Sequence, residues 1–116
     1  MRHIEDNLQK NCISWFTYQF PDLAKLLHHS PNGGKRNAIE AAKFKAMGVR
    51  AGFPDLFLCI ARHGFHGLAI ELKTAKGRQS EQQKYYQYML EEQGYRYKVV
   101  RSLDEFRNVI NDYMSL

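Results

Sequence analysis

Residues 53–73 read FPDLFLCIARHGFHGLAIELK, and the way this stretch folds decides the rest of the chain. Leu56 to Ile60 is an unbroken run of apolar residues and cysteine, and a second run, Leu68 to Leu72, follows the connector Ala61 to Gly67. Runs this short, bounded by proline and glycine, predict two strands joined by the glycine-rich loop RHGFHG as a β-hairpin. Side chains alternate along a strand, so Asp55, Phe57 and Cys59 share one face while Leu56, Leu58 and Ile60 take the other. On the return strand Ala69, Glu71 and Lys73 share a face.

A turn centred near His63 sets Asp55 opposite Glu71, to within a residue or two of register, with their Cβ atoms about 5 Å apart. Two carboxylates at that spacing repel by roughly 3 kcal/mol at an effective dielectric of about 20. A cation is the natural compensator. Lys73 supplies one positive charge, and a hard divalent ion such as Mg²⁺ supplies the rest, held by Asp55, Glu71, the intervening backbone carbonyl of Leu72 and water. The tetrapeptide FPDL also occurs earlier, as Phe20-Pro21-Asp22-Leu23. No acid-x-lysine strand follows that copy, so Asp22 reads as a turn or cap residue.

The flanking segments complete the architecture. Ile4, Leu8, Cys12, Trp15 and Phe16 recur at helical spacing and predict a first helix from Ile4 to about Tyr18, ended by Pro21. Glu5 projects between Leu8, Cys12 and Phe16, which admits two readings. It is a third acid of the same cluster, since a buried carboxylate is costly unless paired or metal-bound, or it sits at an exposed helix start, where acids suit the dipole. Leu26 to His29 forms a short strand before the turn SPNGG, and Ala38 to Met47 a second helix stopped by Gly48. Ser80-Glu81-Gln82-Gln83 and Ser102-Leu103-Asp104-Glu105 both carry the capping-box pattern. The first opens a helix closed by Gly94, and Tyr95 to Val100 follows as a strand. The second opens a final helix whose apolar positions are Leu103, Phe106, Val109, Ile110, Tyr113 and Met114. The order αβαββαβα predicts an α/β fold with a mixed central sheet flanked by helices.

At 116 residues and 44% hydrophobic content the chain has the size of one domain, residues 1–116, with a modest core. No apolar run approaches the roughly 18 residues of a membrane span, and MRHIEDNLQK lacks the apolar centre of a signal peptide, so a soluble, intracellular protein is expected. Cys12 and Cys59 fall on apolar faces without CxxC or CxH spacing and read as small buried hydrophobes. Lysine and arginine total 17 against 12 acids, a formal charge of +5, which favours an anionic partner.

Pro54-Asp55 followed by Glu71-Leu72-Lys73 matches the PD-(D/E)xK nuclease signature, and its surroundings narrow the match. GVRAGFPDL, GLAIELK, GRQSEQQ and LEEQGY, together with HHSPNGGKR upstream and the first-helix pattern Glu5-x-x-Leu8-Gln9, resemble the VRR-NUC family of virus-type replication and repair nucleases, in its stand-alone form. The likeness covers nearly the whole chain. It implies a restriction-endonuclease-like core in which Asp55 and Glu71 hold Mg²⁺ or Mn²⁺, Lys73 assists the attacking water or steadies the transition state, and Glu5 completes the acidic cluster. It further implies a catalytic position for Gln83, for which the capping box is the competing explanation, and a family PN turn at Asn32, which turn chemistry explains equally. Phosphodiester hydrolysis leaving 5′-phosphate and 3′-hydroxyl ends, a phage or prophage origin and a prokaryotic cytoplasm belong to the same implication.

Basic residues gather on segments entering or leaving the hairpin: Lys35, Arg36, Lys43, Lys45, Arg50, Lys76 and Arg78. Together they form a phosphate track, and with no base-reading motif present the track reads DNA shape. Cutting two strands symmetrically needs a second acidic cluster, which a two-fold homodimer provides. The resemblance implies Holliday junctions or other branched DNA as substrate, and the aromatic-rich stretch Tyr85, Tyr86, Tyr88 and Met89 is a candidate interface. Two other readings compete. One is a non-catalytic module that binds branched or single-stranded DNA, against which the intact Asp55, Glu71 and Lys73 argue. The other is a zinc site built from His63, His66 and His28, for which HGFH in a glycine-rich loop is a weak ligand pattern.

Overall fold

A computed structural model of the chain describes residues 2–31 and 37–116. Its elements are α1 (Arg2–Gln19), a 3₁₀ turn (Ala24–Leu26), β1 (Leu27–His29), α2 (Ala38–Ala46), β2 (Leu56–Leu58), β3 (Leu68–Leu72), α3 (Glu81–Glu92), β4 (Arg96–Val100) and α4 (Leu103–Met114). This is the order read from the sequence, with the 3₁₀ turn added. α1 ends just before Phe20-Pro21, because the proline ring disfavours helical geometry in the residue that precedes it. Asp22 lies exposed in the turn that follows.

The four strands form one mixed sheet in the order β1-β2-β3-β4. β1 and β2 are antiparallel, β2 and β3 are antiparallel, and β3 and β4 run parallel, with α3 as the crossover that a parallel pair requires. Every residue of β3 is buried, because this strand is paired on both edges and covered on both faces.

On one face Leu56, Leu58, Leu68, Ile70, Leu72 and Val100 meet Cys12 and Phe16 of α1 and Phe106, Ile110 and Tyr113 of α4 in a single apolar core. Trp15 closes its rim edge-on to Phe106, ring centroids 5.9 Å apart. α3 lies against the other face, where Ala69, Glu71 and Tyr97 are buried. Apolar packing thus fills one side of the sheet and polar chemistry gathers on the other.

The hairpin turns on His63 and Gly64, whose φ values are 54° and 83°. Arg62 and Phe65 exchange backbone hydrogen bonds of 3.2 and 2.8 Å around them, the two-residue loop whose twist suits antiparallel strands. The ladder, however, pairs Leu58 with Leu68 while the loop pairs Arg62 with Phe65. The outgoing arm therefore holds one more residue than the return arm, as a β-bulge does. Two sequence expectations change in consequence. The strand expected to reach Ile60 stops at Leu58, and Cys59 is exposed rather than buried, its N–H taken by the Leu26 carbonyl at 2.9 Å.

Both capping boxes form hydrogen bonds at α3 and α4, with one difference. Ser80 and Gln83 bond reciprocally, whereas Glu105, bonded through its N–H to Ser102, sends its carboxylate one residue further back to the Arg101 N–H at 2.6 Å.

Phe106 is fully buried at the centre of the core. Phe106→Ala is expected to cost about 3–5 kcal/mol, read as a lower urea midpoint in equilibrium unfolding.

Candidate active site

Asp55 stands one residue ahead of β2. Continuing the ladder from Leu56 and Ile70 places it opposite Glu71, the pairing expected from the hairpin. The main chain of Asp55 is fixed first: its carbonyl accepts from the Ser30 N–H at 3.1 Å and lies 2.9 Å from Nδ1 of His29. Its side chain crosses to β3, where Oδ2 accepts the Leu72 N–H at 2.8 Å. A residue's own N–H and C=O leave a strand on the same edge. The Leu72 carbonyl therefore leaves on the Asp55 side as well.

Glu71 is a charged residue only 2% exposed, and its carboxyl is held at both oxygens. Oε1 accepts from the Tyr97 hydroxyl at 3.2 Å and Oε2 from Nε2 of Gln83 at 3.0 Å. Burial pushes its pKa up to about 9, helped by a hydrogen bond with Asp55 and by that residue's negative charge; Lys73 and the Tyr97 hydroxyl act in the opposite direction. Lys73 is half-buried on the same face, with its N–H spent on the Val100 carbonyl at 3.0 Å. Asp55, Glu71 and Lys73 are thus brought together.

Gln83 completes the cap and also reaches the buried acid. Its Oε1 accepts from the Ser80 N–H at 2.8 Å, completing the cap of α3, while its Nε2 donates to Glu71. One carboxamide ties the helix start to the buried acid.

Tyr97 is the residue that the sequence did not single out. It is buried on β4, its hydroxyl accepts from Nε2 of Gln79 at 3.3 Å, and Gln79 also bonds Oε1 of Gln87 at 3.0 Å. Burial and the neighbouring Glu71 charge raise its pKa. A buried tyrosine needs a partner for its hydroxyl, but naming that partner requires the parallel register that sets Tyr97 beside Ala69.

Glu5 lies half-buried in the first turn of α1. Among the described residues no three His, Cys, Asp or Glu side chains gather into a metal-holding group, so Glu5 is not assembled with Asp55 and Glu71. The three zinc candidates do not meet. His63 rests edge-on to Tyr113, His66 edge-on to Tyr95, and His28 is exposed on β1. Lys43, Lys45, Arg50, Lys76 and Arg78 are exposed, and neither of the two ion pairs among the described residues involves them. Arg50 donates to the Lys45 carbonyl at 3.1 Å. Asn32, Lys35 and Arg36 lie outside the described residues.

The donor set suits a hard cation. Asp55 and Glu71 carboxylate oxygens and the Leu72 carbonyl form an all-oxygen group of the kind that Mg²⁺ and Mn²⁺ prefer. Burial first, and the neighbouring Asp55 second, disfavour the charged form of Glu71, and a bound cation would favour it.

A mixed sheet carrying a proline-aspartate and a glutamate-x-lysine on one hairpin defines the PD-(D/E)xK class of nuclease core. The sequence profile of the VRR-NUC domain matches residues 2–104. A solved structure described as a VRR_NUC domain protein superposes with a TM-score of 0.84 and 39% sequence identity, over 97% of this chain and 88% of that one. A search of curated proteins gives no match. The chain belongs to the VRR-NUC family, a family of nucleases.

Because the fold raises the Glu71 pKa from 4.5 to about 9, it favours the protonated form. The corresponding stability is fully present below the unfolded value and is lost as pH rises toward the folded one. In the metal-free protein the melting temperature is expected to fall between about pH 5 and pH 9 more steeply than in Glu71→Gln. Equal slopes would show that Glu71 is not the titrating group.

Proposed function

We propose that this chain is a divalent-metal-dependent endodeoxyribonuclease, a single domain over residues 1–116 that acts inside the cell as a homodimer on branched DNA such as Holliday junctions. The observation that carries the proposal is the meeting of Asp55 and Glu71 across the hairpin, with Lys73 beside them and a buried carboxyl whose pKa stands near 9. A surface ion pair between Glu71 and Lys73 would have no use for such burial.

In this reading Asp55, Glu71 and the Leu72 carbonyl hold Mg²⁺ or Mn²⁺. When bound, the ion polarises the attacking water and offsets charge on the phosphate and leaving oxygens. The chain's own residues do the positioning. Leu72 N–H fixes one oxygen of Asp55, Tyr97 and Gln83 fix Glu71, and the Lys73 ammonium hydrogen-bonds the attacking water or a non-bridging phosphate oxygen. The products carry 5′-phosphate and 3′-hydroxyl ends.

The exposed cations of α2, Arg50 and the segment carrying Lys76 and Arg78 support a path for the DNA backbone, with Lys35 and Arg36 proposed to extend it. For the dimer, α3 offers a stripe of apolar surface at helical spacing. Tyr85 and Tyr88 are 63% and 62% exposed and Met89 lies beside them, whereas Tyr86 turns inward onto Phe53. No helix among the described residues is long and apolar enough to cross a membrane.

Purified protein incubated with a four-way junction and Mg²⁺ or Mn²⁺ is expected to nick it and leave ends that DNA ligase reseals. Asp55→Asn and Glu71→Gln are expected to bind the junction and reduce nicking to background. Junction binding by the parent without nicking in either ion would overturn the proposal in favour of a non-catalytic DNA-binding module. Light scattering on size-exclusion chromatography is expected to give twice the chain mass for the parent and the single-chain mass for Tyr88→Glu.

A further inference from the structure

A cleft of about 340 Å³ is lined by residues that include Ser30, Val49, Arg50, Phe53 and Tyr86. Three of the lining residues, Phe53, Ser30 and Tyr86, are tied to the site by short covalent or hydrogen-bonded paths. Phe53 precedes Asp55 by two residues, so their Cα atoms are at most about 7 Å apart. The Ser30 N–H bonds the Asp55 carbonyl at 3.1 Å. Tyr86 stands on α3 one turn beyond Gln83, whose amide holds Glu71. The loop carrying Phe53 lies close against α3: at Gly52 a Cβ would fall 2.7 Å from Cβ of Gln82, so only glycine permits that approach.

The lining has a distinct chemistry. Two aromatic rings, Phe53 and Tyr86, meet edge to face with centroids 5.4 Å apart. Val49 adds aliphatic surface, and Arg50 is exposed at the rim, with Lys45 nearby through the hydrogen bond that Arg50 makes to its carbonyl. Aromatic rings and a guanidinium plane are the surfaces on which unpaired bases stack, and cations beside them suit the phosphates on either side of such a base. The volume lies within the range of clefts that enclose small organic ligands, roughly 300–1,000 Å³.

We propose that this cleft takes one unstacked nucleobase of the substrate, swung out of the duplex beside the phosphate that Asp55, Glu71 and Lys73 address. The inference rests on the nuclease reading above and extends it to selectivity. Extruding a base costs least where pairing is already interrupted, so a base-holding cleft favours branch points over continuous duplex without reading sequence. Phe53 and Tyr86 are the binding residues of this subsite, and neither belongs to the metal-holding group.

The test uses the whole protein and junction DNA carrying 2-aminopurine at the branch, bound in the presence of a chelator so that affinity and stacking are read without turnover. Tyr86→Leu removes one wall and Val49→Phe fills the space. Each is expected to weaken junction binding about tenfold and abolish the 2-aminopurine change, while linear duplex binding stays within about twofold and Tyr86→Phe behaves as the parent. Melting curves identify any variant that fails to fold, and the other variant then decides. Folded variants that bind junctions and report 2-aminopurine as the parent does would overturn the cleft assignment, whether or not the protein nicks DNA. A parent that shows the 2-aminopurine response but never nicks would leave the cleft assigned and overturn the nuclease reading alone.

Discussion

Two acids facing each other at the mouth of a hairpin are the constraint around which this molecule is arranged. Like charges that close are unfavourable anywhere, and burial of one of them makes the pair costlier still. The surrounding groups answer that cost from several directions. A main-chain N–H from Leu72 reaches Asp55, a phenol from Tyr97 and an amide from Gln83 reach Glu71, and the Lys73 ammonium stands on the same face. All of these are donors or cations. A carboxylate offers about four lone-pair sites, and the contacts named occupy only part of that capacity, so acceptor positions remain for a cation and its water.

The division of labour between the two sheet faces makes this arrangement affordable. Leucines, isoleucine and valine of the strands close the core with α1 and α4 on one side. Among the described residues the other side receives α3, a helix with no fully buried residue, and the Phe53 ring, stacked on Phe57. Polar side chains can therefore enter beneath α3 without disturbing the apolar packing. β3 belongs to both worlds, since Leu68, Ile70 and Leu72 build the core while Glu71 looks the other way. Slipping that strand by one residue would exchange the two sets, which is why the register is so strongly specified.

Much of this was legible in the sequence because it follows from local rules. Short apolar runs, a period of two and a glycine-rich connector suffice to set Asp55 against Glu71, and hydroxyl-to-glutamine spacing locates the start of α3. What escaped depends on distant geometry. Cys59 sits in an outgoing arm with one residue too many, and nothing in the run LFLCI announces the bulge that exposes it. Tyr97 reaches Glu71 only because β4 lies parallel to β3 at a particular offset, a fact about two strands separated by an entire helix. Gln83 shows a different limit. Capping and a catalytic position looked like alternatives, yet an amide has two ends, and here one completes the cap while the other bonds Glu71. Glu5 remained ambiguous for the reverse reason: its helical position was clear, but where that turn meets the sheet was not encoded locally.

The bifunctional amide of Gln83 links two parts of the structure that are usually independent. The opening turn of a helix is ordinarily the part most prone to fray, yet here its closing bond and the restraint on a buried acid share one side chain. Loosening the start of α3 therefore removes one of the bonds on Glu71 and leaves the one from Tyr97 on β4. One carboxamide thus couples the order of a helix start to the orientation of a buried carboxyl on the neighbouring strand.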